Sequence, residues 1–318
     1  MRILSGIQPS GIPHLGNYFG YIKPNIDLQA TADVMLIIVD LHALTTVQDP
    51  EVLRQNRQQV SLDLLASGFD PQKGTLFFQS YVPEHTELMW VLSTLSPMGL
   101  LERAVSYKEK VEKGISASVG LFTYPVLQAA DILLYQADTV PVGKDQKQHI
   151  EMARDIAIKF NNAYGEMFVL PEAKISEEVA VVPGTDGQKM SKSYGNTIPV
   201  FASDAVIKKA VMGIVTDSKG ISDPKDPDTC VIYQIHKLFL NDGERKSLAA
   251  EYRNGLPYGD AKKKLLQTCM DHFAPMRKRR AELEKGGEIV EIMLDGAKKA
   301  SRIASETMEK VRKATGLR

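Results

Sequence analysis

Ile3-Leu4-Ser5-Gly6-Ile7-Gln8-Pro9-Ser10-Gly11-Ile12-Pro13-His14-Leu15-Gly16-Asn17 runs from a short apolar strand, Ile3-Leu4, into a turn of glycines, prolines and serines. A helix is expected to follow. Small residues let a backbone approach a ligand closely, and a helix N-terminus placed there offers its unpaired N–H groups to phosphate. The spacing is neither the dinucleotide fingerprint nor the Walker A pattern. From these residues alone, a phosphate-cradling turn and a plain tight turn carrying a surface histidine both stay open.

Working outward, the first ~200 residues alternate β-rich runs with helical stretches, as βαβ units and a parallel sheet do. Val34-Met35-Leu36-Ile37-Ile38-Val39 is an unbroken apolar run, the pattern of a strand covered on both faces. Asp49-Pro50 predicts a capped helix start, with apolar positions at Val52, Leu53, Val60, Leu64 and Leu65, and Gly68 predicts its stop. Thr75–Phe78 and Thr139–Val142 read as further strands, and a helix is expected from about Gln146 to Tyr164, closed by Gly165. Beyond residue 200 helical patterns dominate, broken near Ser222–Asp228 and Asn254–Gly259. The last helix should place Met293, Ala297, Ala300, Ala304, Met308, Val311 and Ala314 on one face. The fold class expected is α/β: a Rossmann-like parallel-sheet domain over residues 1–195, then an α-helical domain over 196–318, with the last helix packing back on the first domain.

Composition sets the bounds. With 318 residues, 43% hydrophobic and 25% charged, the chain is of ordinary globular make-up. No apolar run reaches the ~18–20 residues of a membrane span, and the start, Met1–Gly6, lacks the apolar core of a signal peptide. Two cysteines, Cys230 and Cys269, suggest neither a disulfide framework nor a cysteine metal site, so no metal ligands are expected and a reducing cytoplasm fits. Net charge is zero, but residues 200–318 hold 23 Lys and Arg against 17 Asp and Glu, while residues 1–199 hold 16 against 22. A basic C-terminal part is compatible with a polyanion such as RNA, and equally with a solvated helical surface.

A second chemical element is Lys189-Met190-Ser191-Lys192-Ser193, preceded by Pro183-Gly184-Thr185-Asp186-Gly187-Gln188. Two ammonium groups three residues apart on a glycine-rich loop can close on a polyphosphate. A third is the helix carrying Tyr124, Gln128, Asp131 and Tyr135 at i, i+4, i+7 and i+11, which share one face. Asp131 stands between Ala130 and an Ile-Leu-Leu run, where a carboxylate needs a donor, from a ligand or from the core.

His14-Leu15-Gly16-Asn17 resembles the HIGH motif of class I aminoacyl-tRNA synthetases, with Asn in place of the second His, and Lys189–Ser193 matches their KMSKS motif. Val142-Gly143-Lys144-Asp145-Gln146-Lys147-Gln148-His149 resembles the GxDQKQH block of the tryptophanyl-tRNA synthetases of bacterial type. Thr123-Tyr124-Pro125 through Tyr135, Asp40–Ala43, Gln79–His85 and Gly296–Ala300 are similar to further segments of that family, so the likeness covers nearly the whole chain. It implies ATP-dependent activation of L-tryptophan to tryptophanyl-adenylate and transfer to tRNA(Trp), with Mg²⁺ held mostly by ATP phosphates, in a cytoplasmic homodimer.

Site roles follow the resemblance residue by residue. His14, Asn17, Lys189 and Lys192 would be catalytic. Gln8, Pro9, Ser10, Gly16, Asn17, Gly143, Asp145, Val182 and Lys189 through Ser193 (Met190 and Ser191 included) would bind ATP, and Lys108 and Lys110 resemble lysines that reach the triphosphate. Leu4, Gly6, His42, Tyr124, Gln128, Asp131, Val142 and Gln146 would form the tryptophan pocket. There Asp131 would take the indole N–H, a donor met by an acceptor-only carboxylate. Lys262–Lys264 and Arg277–Arg280 are the basic runs offered to the anticodon. Leu4, Leu41 and Gln128 depart from the family's commoner aromatic, Gln and Met, which touches the ring-facing pocket and leaves the phosphate machinery unaltered. Tyrosyl-tRNA synthetases share the scaffold, but the GxDQKQH-like block and the setting of Asp131 favour tryptophan. A non-catalytic paralogue has no need of His14 and both lysines together.

Overall fold

A computed structural model of the chain describes residues 1–104, 107, 118–143, 146–175 and 182–318. Five parallel strands form its centre: β1 (Arg2–Ile7), β2 (Asp33–Ile38), β3 (Gly74–Phe78), β4 (Thr139–Val142) and β5 (Glu172–Ile175). Their order is β3-β2-β1-β4-β5. This is a doubly wound arrangement whose direction switches beside β1, the place where such sheets open a ligand crevice at their carboxyl ends. β1 pairs with β2 along its whole length but meets β4 only at Ile3–Thr139. Past that point the two strands part, which is where the crevice lies.

The run from Val34 to Ile38 is at most 1% exposed, so it is covered on both faces as its continuous hydrophobicity implies. Val34, Leu36 and Ile38 join one core cluster and Met35 and Ile37 the other. The first cluster is filled by α4 (Pro50–Ala66) and by the C-terminal helices α9 (Asp204–Met212), α10 (Val231–His236), α11 (Asp242–Arg253) and α12 (Tyr258–Gly286). The second is filled by α5 (Glu84–Ser93), α7 (Val119–Leu134), α8 (Lys147–Tyr164) and α13 (Ile289–Thr315). Helix α13 lies against β3 so closely that a Cβ at Gly296 would sit 1.9 Å from the Leu76 carbonyl oxygen. Arg312 forks onto the Glu87 carboxylate of α5, and Ser305 bonds Glu84 at 2.8 Å. Its predicted apolar face is the buried one, with Ala314 at the partly exposed end.

Local signals act as expected at α4, where the Asp49 carboxylate accepts from the N–H groups of Glu51 and Val52. Gly165 closes α8 with φ of 95°, which favours glycine. Three features differ from the sequence reading. β1 spans Arg2–Ile7, more than Ile3-Leu4, because the sheet pairs the polar Ser5 and Gly6 with Leu36 and Ile37. β5, Glu-Ala-Lys-Ile, has little intrinsic strand preference and exists through its pairing with β4. The helix after the glycine turn is not regular: Leu15–Asn17 leads through a π-helical stretch, Tyr18–Ile22, into α2 (Lys23–Leu28).

Candidate active site

A cavity of 510 Å³ opens between the diverging ends of β1 and β4, roofed by α7. That lies within the ~300–1,000 Å³ usual for small-molecule sites. All eight residues expected at the tryptophan pocket line it: Leu4, Gly6, His42, Tyr124, Gln128, Asp131, Val142 and Gln146. Gln8 and Gly143, expected on the ATP side, line it too, and so do Ser5, Tyr21, Thr45 and Thr46, which the sequence reading did not single out.

Asp131 sits on the wall, 4% exposed. Its Oδ1 accepts from Gln79 Nε2 at 2.7 Å and from His85 Nδ1 at 2.6 Å, and its Oδ2 lies 3.0 Å from His42 Nε2. Burial alone would push the carboxyl pKa up, but the His42 and His85 hydrogen bonds outweigh it and hold the group at about 2, so it is ionised at neutral pH. His85 Nε2 reaches the buried hydroxyl of Tyr135 at 2.7 Å. With Asp131 as acceptor, both histidines present N–H to it, and the second nitrogen of His85 accepts from Tyr135 when the ring is neutral. Gln79 and His85 therefore orient the carboxylate from behind, while His42 shares the cavity wall with it. Gln79 and His85 fall in a segment marked only by family likeness; their signal was a polar pair flanking a strand end, too common to single out.

The phosphate-like end adjoins this cavity. The buried His14 caps the helix start: its Nδ1 accepts from the Asn17 backbone N–H at 3.3 Å, while its own N–H donates to Asn17 Oδ1 at 3.1 Å. Burial, with the Lys192 charge adding to it, lowers the His14 pKa to about 4. The ring is neutral at pH 7, and with Nδ1 accepting, its proton is on Nε2. A surface histidine is thereby set aside. Lys192 Nζ donates to the Ser10 carbonyl at 2.7 Å, which lays the double-lysine loop across the glycine turn. A Cβ on Gly11 would come 3.9 Å from that ammonium, and one on Gly16 would come 3.5 Å from Met190 Cβ. Pro9, Met190 and Val182 are buried beneath, whereas Lys189 and Ser193 are exposed and Ser191 bonds Ser193 through its hydroxyl at 2.8 Å. His14, Asn17, Ser10, Gly16, Met190 and Lys192 are thus brought together. Asp145, Lys108 and Lys110 lie outside the described residues.

Three arginines of the basic runs offered to RNA hold other parts of the fold. Arg277 pairs with Asp204 at 2.8 Å, Arg279 donates to the Leu65 carbonyl at 3.0 Å, and Arg280 pairs with Asp63 at 2.7 Å. These arginines fasten α12 to α4 and α9, and Lys278, the fourth residue of the run, is exposed. Lys262 donates to the Met212 carbonyl, while Lys263 and Lys264 pair with Asp260 and Glu251. Arg279 and Arg280 serve a helix junction, where the buried Leu65 carbonyl and Asp63 carboxylate require donors, whereas the lysine pairs at 263 and 264 are exposed surface pairs.

Comparison with known proteins agrees with this geometry. Residues 1–274 match the family of class I tRNA synthetases (W and Y). A tryptophan–tRNA ligase of Rhodopirellula baltica is 53% identical over the full length of both chains. The crystal structure of tryptophanyl-tRNA synthetase from Campylobacter jejuni complexed with ADP and tryptophan superposes with a TM-score of 0.94 at 52% identity, covering 99% of this chain and 100% of that one. The enzyme from Mycoplasma pneumoniae gives a TM-score of 0.84 at 31% identity, covering 99% and 97%. With the sheet, the crevice and the two motifs in place, the chain belongs to the class I tRNA synthetases, and within them to the tryptophan–tRNA ligases.

Proposed function

We propose that the crevice binds L-tryptophan and ATP side by side and joins them. The tryptophan carboxylate attacks the α-phosphate, a mixed anhydride with AMP forms, and diphosphate leaves. A terminal ribose hydroxyl of tRNA(Trp), the 2′-OH by family resemblance, then attacks the anhydride carbonyl and AMP departs. The observation that carries this reading is continuity along one strand end: Gln8 lines the cavity that holds Asp131, and Ser10, two residues on, holds Lys192.

The indole would enter with its N–H toward Asp131 Oδ2, the oxygen bonded to the cavity-lining His42. Tyr124, Gln146 and His42 surround the position of the amino and carboxylate groups. His14, as a neutral Nε2–H donor, would bond a phosphate oxygen, with Gln8 and Asn17 alongside. Lys189 and Lys192 would meet the charge that develops on the departing diphosphate, a stabilisation realised mainly in the transition state. Mg²⁺ would be held mostly by phosphate oxygens and water, as the family resemblance implies. Lys108, Lys110 and Asp145 keep their expected contacts with triphosphate and ribose in this reading.

Residues 1–195 would form the catalytic domain and 196–318 the anticodon-binding one. Since Arg277, Arg279 and Arg280 hold the fold, RNA would be met by other faces of the helices. Among the described residues no helix is long and apolar enough to cross a membrane, and the reading places the protein in the cytoplasm as a homodimer. Tryptophan-dependent exchange of diphosphate into ATP, with tyrosine in parallel, tests the first step, and charging of a tRNA bearing the tryptophan anticodon tests the second. Exchange with tyrosine but not tryptophan would overturn the assignment.

A further inference from the structure

Asn196 follows the double-lysine motif and is 3% exposed. Its three side-chain hydrogen bonds all end on the loop that carries the lysines. Oδ1 accepts from the Ser191 N–H at 2.8 Å, and Nδ2 donates to Asp186 Oδ1 at 2.8 Å and to the Lys189 carbonyl at 3.1 Å. Its own carbonyl accepts from the Thr185 N–H at 2.9 Å. One residue therefore grips the rising arm of the hairpin, 184–186, and the falling arm, 189–191. Gly184 is shaped to it: a Cβ there would lie 2.3 Å from Asn196 Nδ2 and 2.8 Å from its carbonyl oxygen.

The chain leaving Asn196 continues to the other motif. Leu15 N–H donates to the Ile198 carbonyl and Val200 N–H to the Pro13 carbonyl, each at 3.0 Å. Asn196 thus stands between the segment bonded to the His14 turn and the loop bearing Lys189 and Lys192. The Asn196 amide is also the main influence holding the Asp186 carboxyl below its usual range.

We propose that Asn196 is a positioning residue for diphosphate release: it fixes Lys189 and Lys192 relative to each other and ties that spacing to the His14 turn. The inference rests on the reading of those lysines as the leaving-group clamp. Asn196 touches neither substrate; it acts through the loop backbone.

The test is N196D in tryptophan-dependent diphosphate exchange. The substitution keeps the acceptor for Ser191 but turns both donors into a carboxylate facing Asp186 and a carbonyl. At pH 7.5 kcat should fall about 30- to 100-fold while the KM for tryptophan stays within about threefold, because the Asp131 wall is untouched. Two carboxyl groups about 2.8 Å apart share a proton readily, so the variant should regain at least about fivefold relative to the parent as pH is lowered toward about 6. A role confined to fold stability would not give the acid recovery.

Parental kcat in N196D, a tryptophan KM rising in step with the loss, or no recovery as pH is lowered toward about 6 would overturn the proposal. Lys192→Ala run beside them separates the two levels. Full exchange in that variant refutes the leaving-group reading itself, whereas impairment there with normal N196D refutes the assignment of Asn196 alone.

Discussion

Asp131→Asn asks whether the carboxylate on the cavity wall reads the indole. The substitution is nearly isosteric, and the three protein donors around Asp131 dictate how the amide would sit. Oδ1 takes two of them, Gln79 Nε2 and His85 Nδ1, so the amide oxygen should occupy that place. The NH₂ then replaces Oδ2 and faces His42 and the cavity. His42 can adapt by moving its proton to Nδ1 and accepting at Nε2; an indole N–H cannot, because it is donor only. Two effects add. A charge-assisted bond worth about 1.5–3 kcal/mol is lost, and a donor left facing a donor costs roughly 1–3 kcal/mol. Their sum of about 2.5–6 kcal/mol corresponds to a loss of roughly 70-fold or more in kcat/KM for tryptophan, measured by diphosphate exchange. ATP affinity, measured by equilibrium dialysis without tryptophan, should stay within about twofold, since His14 and Lys192 belong to the other end of the crevice. A tryptophan kcat/KM within fivefold of the parent would refute the reasoning. So would a parallel fall in ATP affinity, which would mean that the substitution had collapsed the site.

Lys192→Ala should lower kcat of exchange by about 100-fold or more, the scale of one lost charge stabiliser, with tryptophan affinity by dialysis unchanged; equal losses in both would count against its role. Gly296→Ala must move α13 off β3, since the new methyl would meet the Leu76 carbonyl at 1.9 Å, and should lower stability by about 1–3 kcal/mol or more in urea unfolding; a loss under about 0.5 kcal/mol would mean that the helix shifts freely. Burial lowers the pKa of His236, as it does that of His14, to about 4, below the 6.5 of the unfolded side chain. The unfolded chain therefore takes up protons first, and stability complete above pH 6.5 should fall as pH drops toward 4. The loss is up to about 3 kcal/mol for His236 and less for the partly screened His14, opposed by Asp63, whose carboxyl burial raises to about 6. Urea midpoints between pH 7.5 and 4.5 should show this slope, and His236→Gln should flatten it; an equally steep variant would rule His236 out as a source.

Much of this molecule was legible because its signals are local. The strand at Val34–Ile38 needs only its own side chains to declare a doubly covered position, and the Asp49-Pro50 helix start needs only its own cap. The same holds in part for the cavity wall, where helical spacing put Tyr124, Gln128, Asp131 and Tyr135 on one face: the first three line the cavity, while Tyr135 is fully buried and bonds His85. What escaped is what depends on neighbours distant in the chain. β5 is a strand because β4 offers it partners. Arg277, Arg279 and Arg280 look like a basic stripe until α4 and α9 supply Asp63, the Leu65 carbonyl and Asp204.

The acceptor at the back of the pocket shows why such dependence matters for function. A lone buried aspartate would neutralise itself: burial raises its pKa, and a protonated carboxyl could turn a donor toward the indole. On the proposed reading, selection of tryptophan therefore requires donors that keep Asp131 charged. His42 and His85 do this through their hydrogen bonds to Oδ2 and Oδ1, Gln79 fixes Oδ1 from the end of β3, and Tyr135 secures His85 in turn. α13 holds α5 and β3 together through Arg312–Glu87 and the contact at Gly296. The C-terminal helix thus supports, across the sheet edge, the orientation of a carboxylate it never touches. Its sequence likeness to the family around Gly296–Ala300 has a physical ground in that packing: a side chain at position 296 would push apart the elements that keep the pocket's acid ionised and aimed.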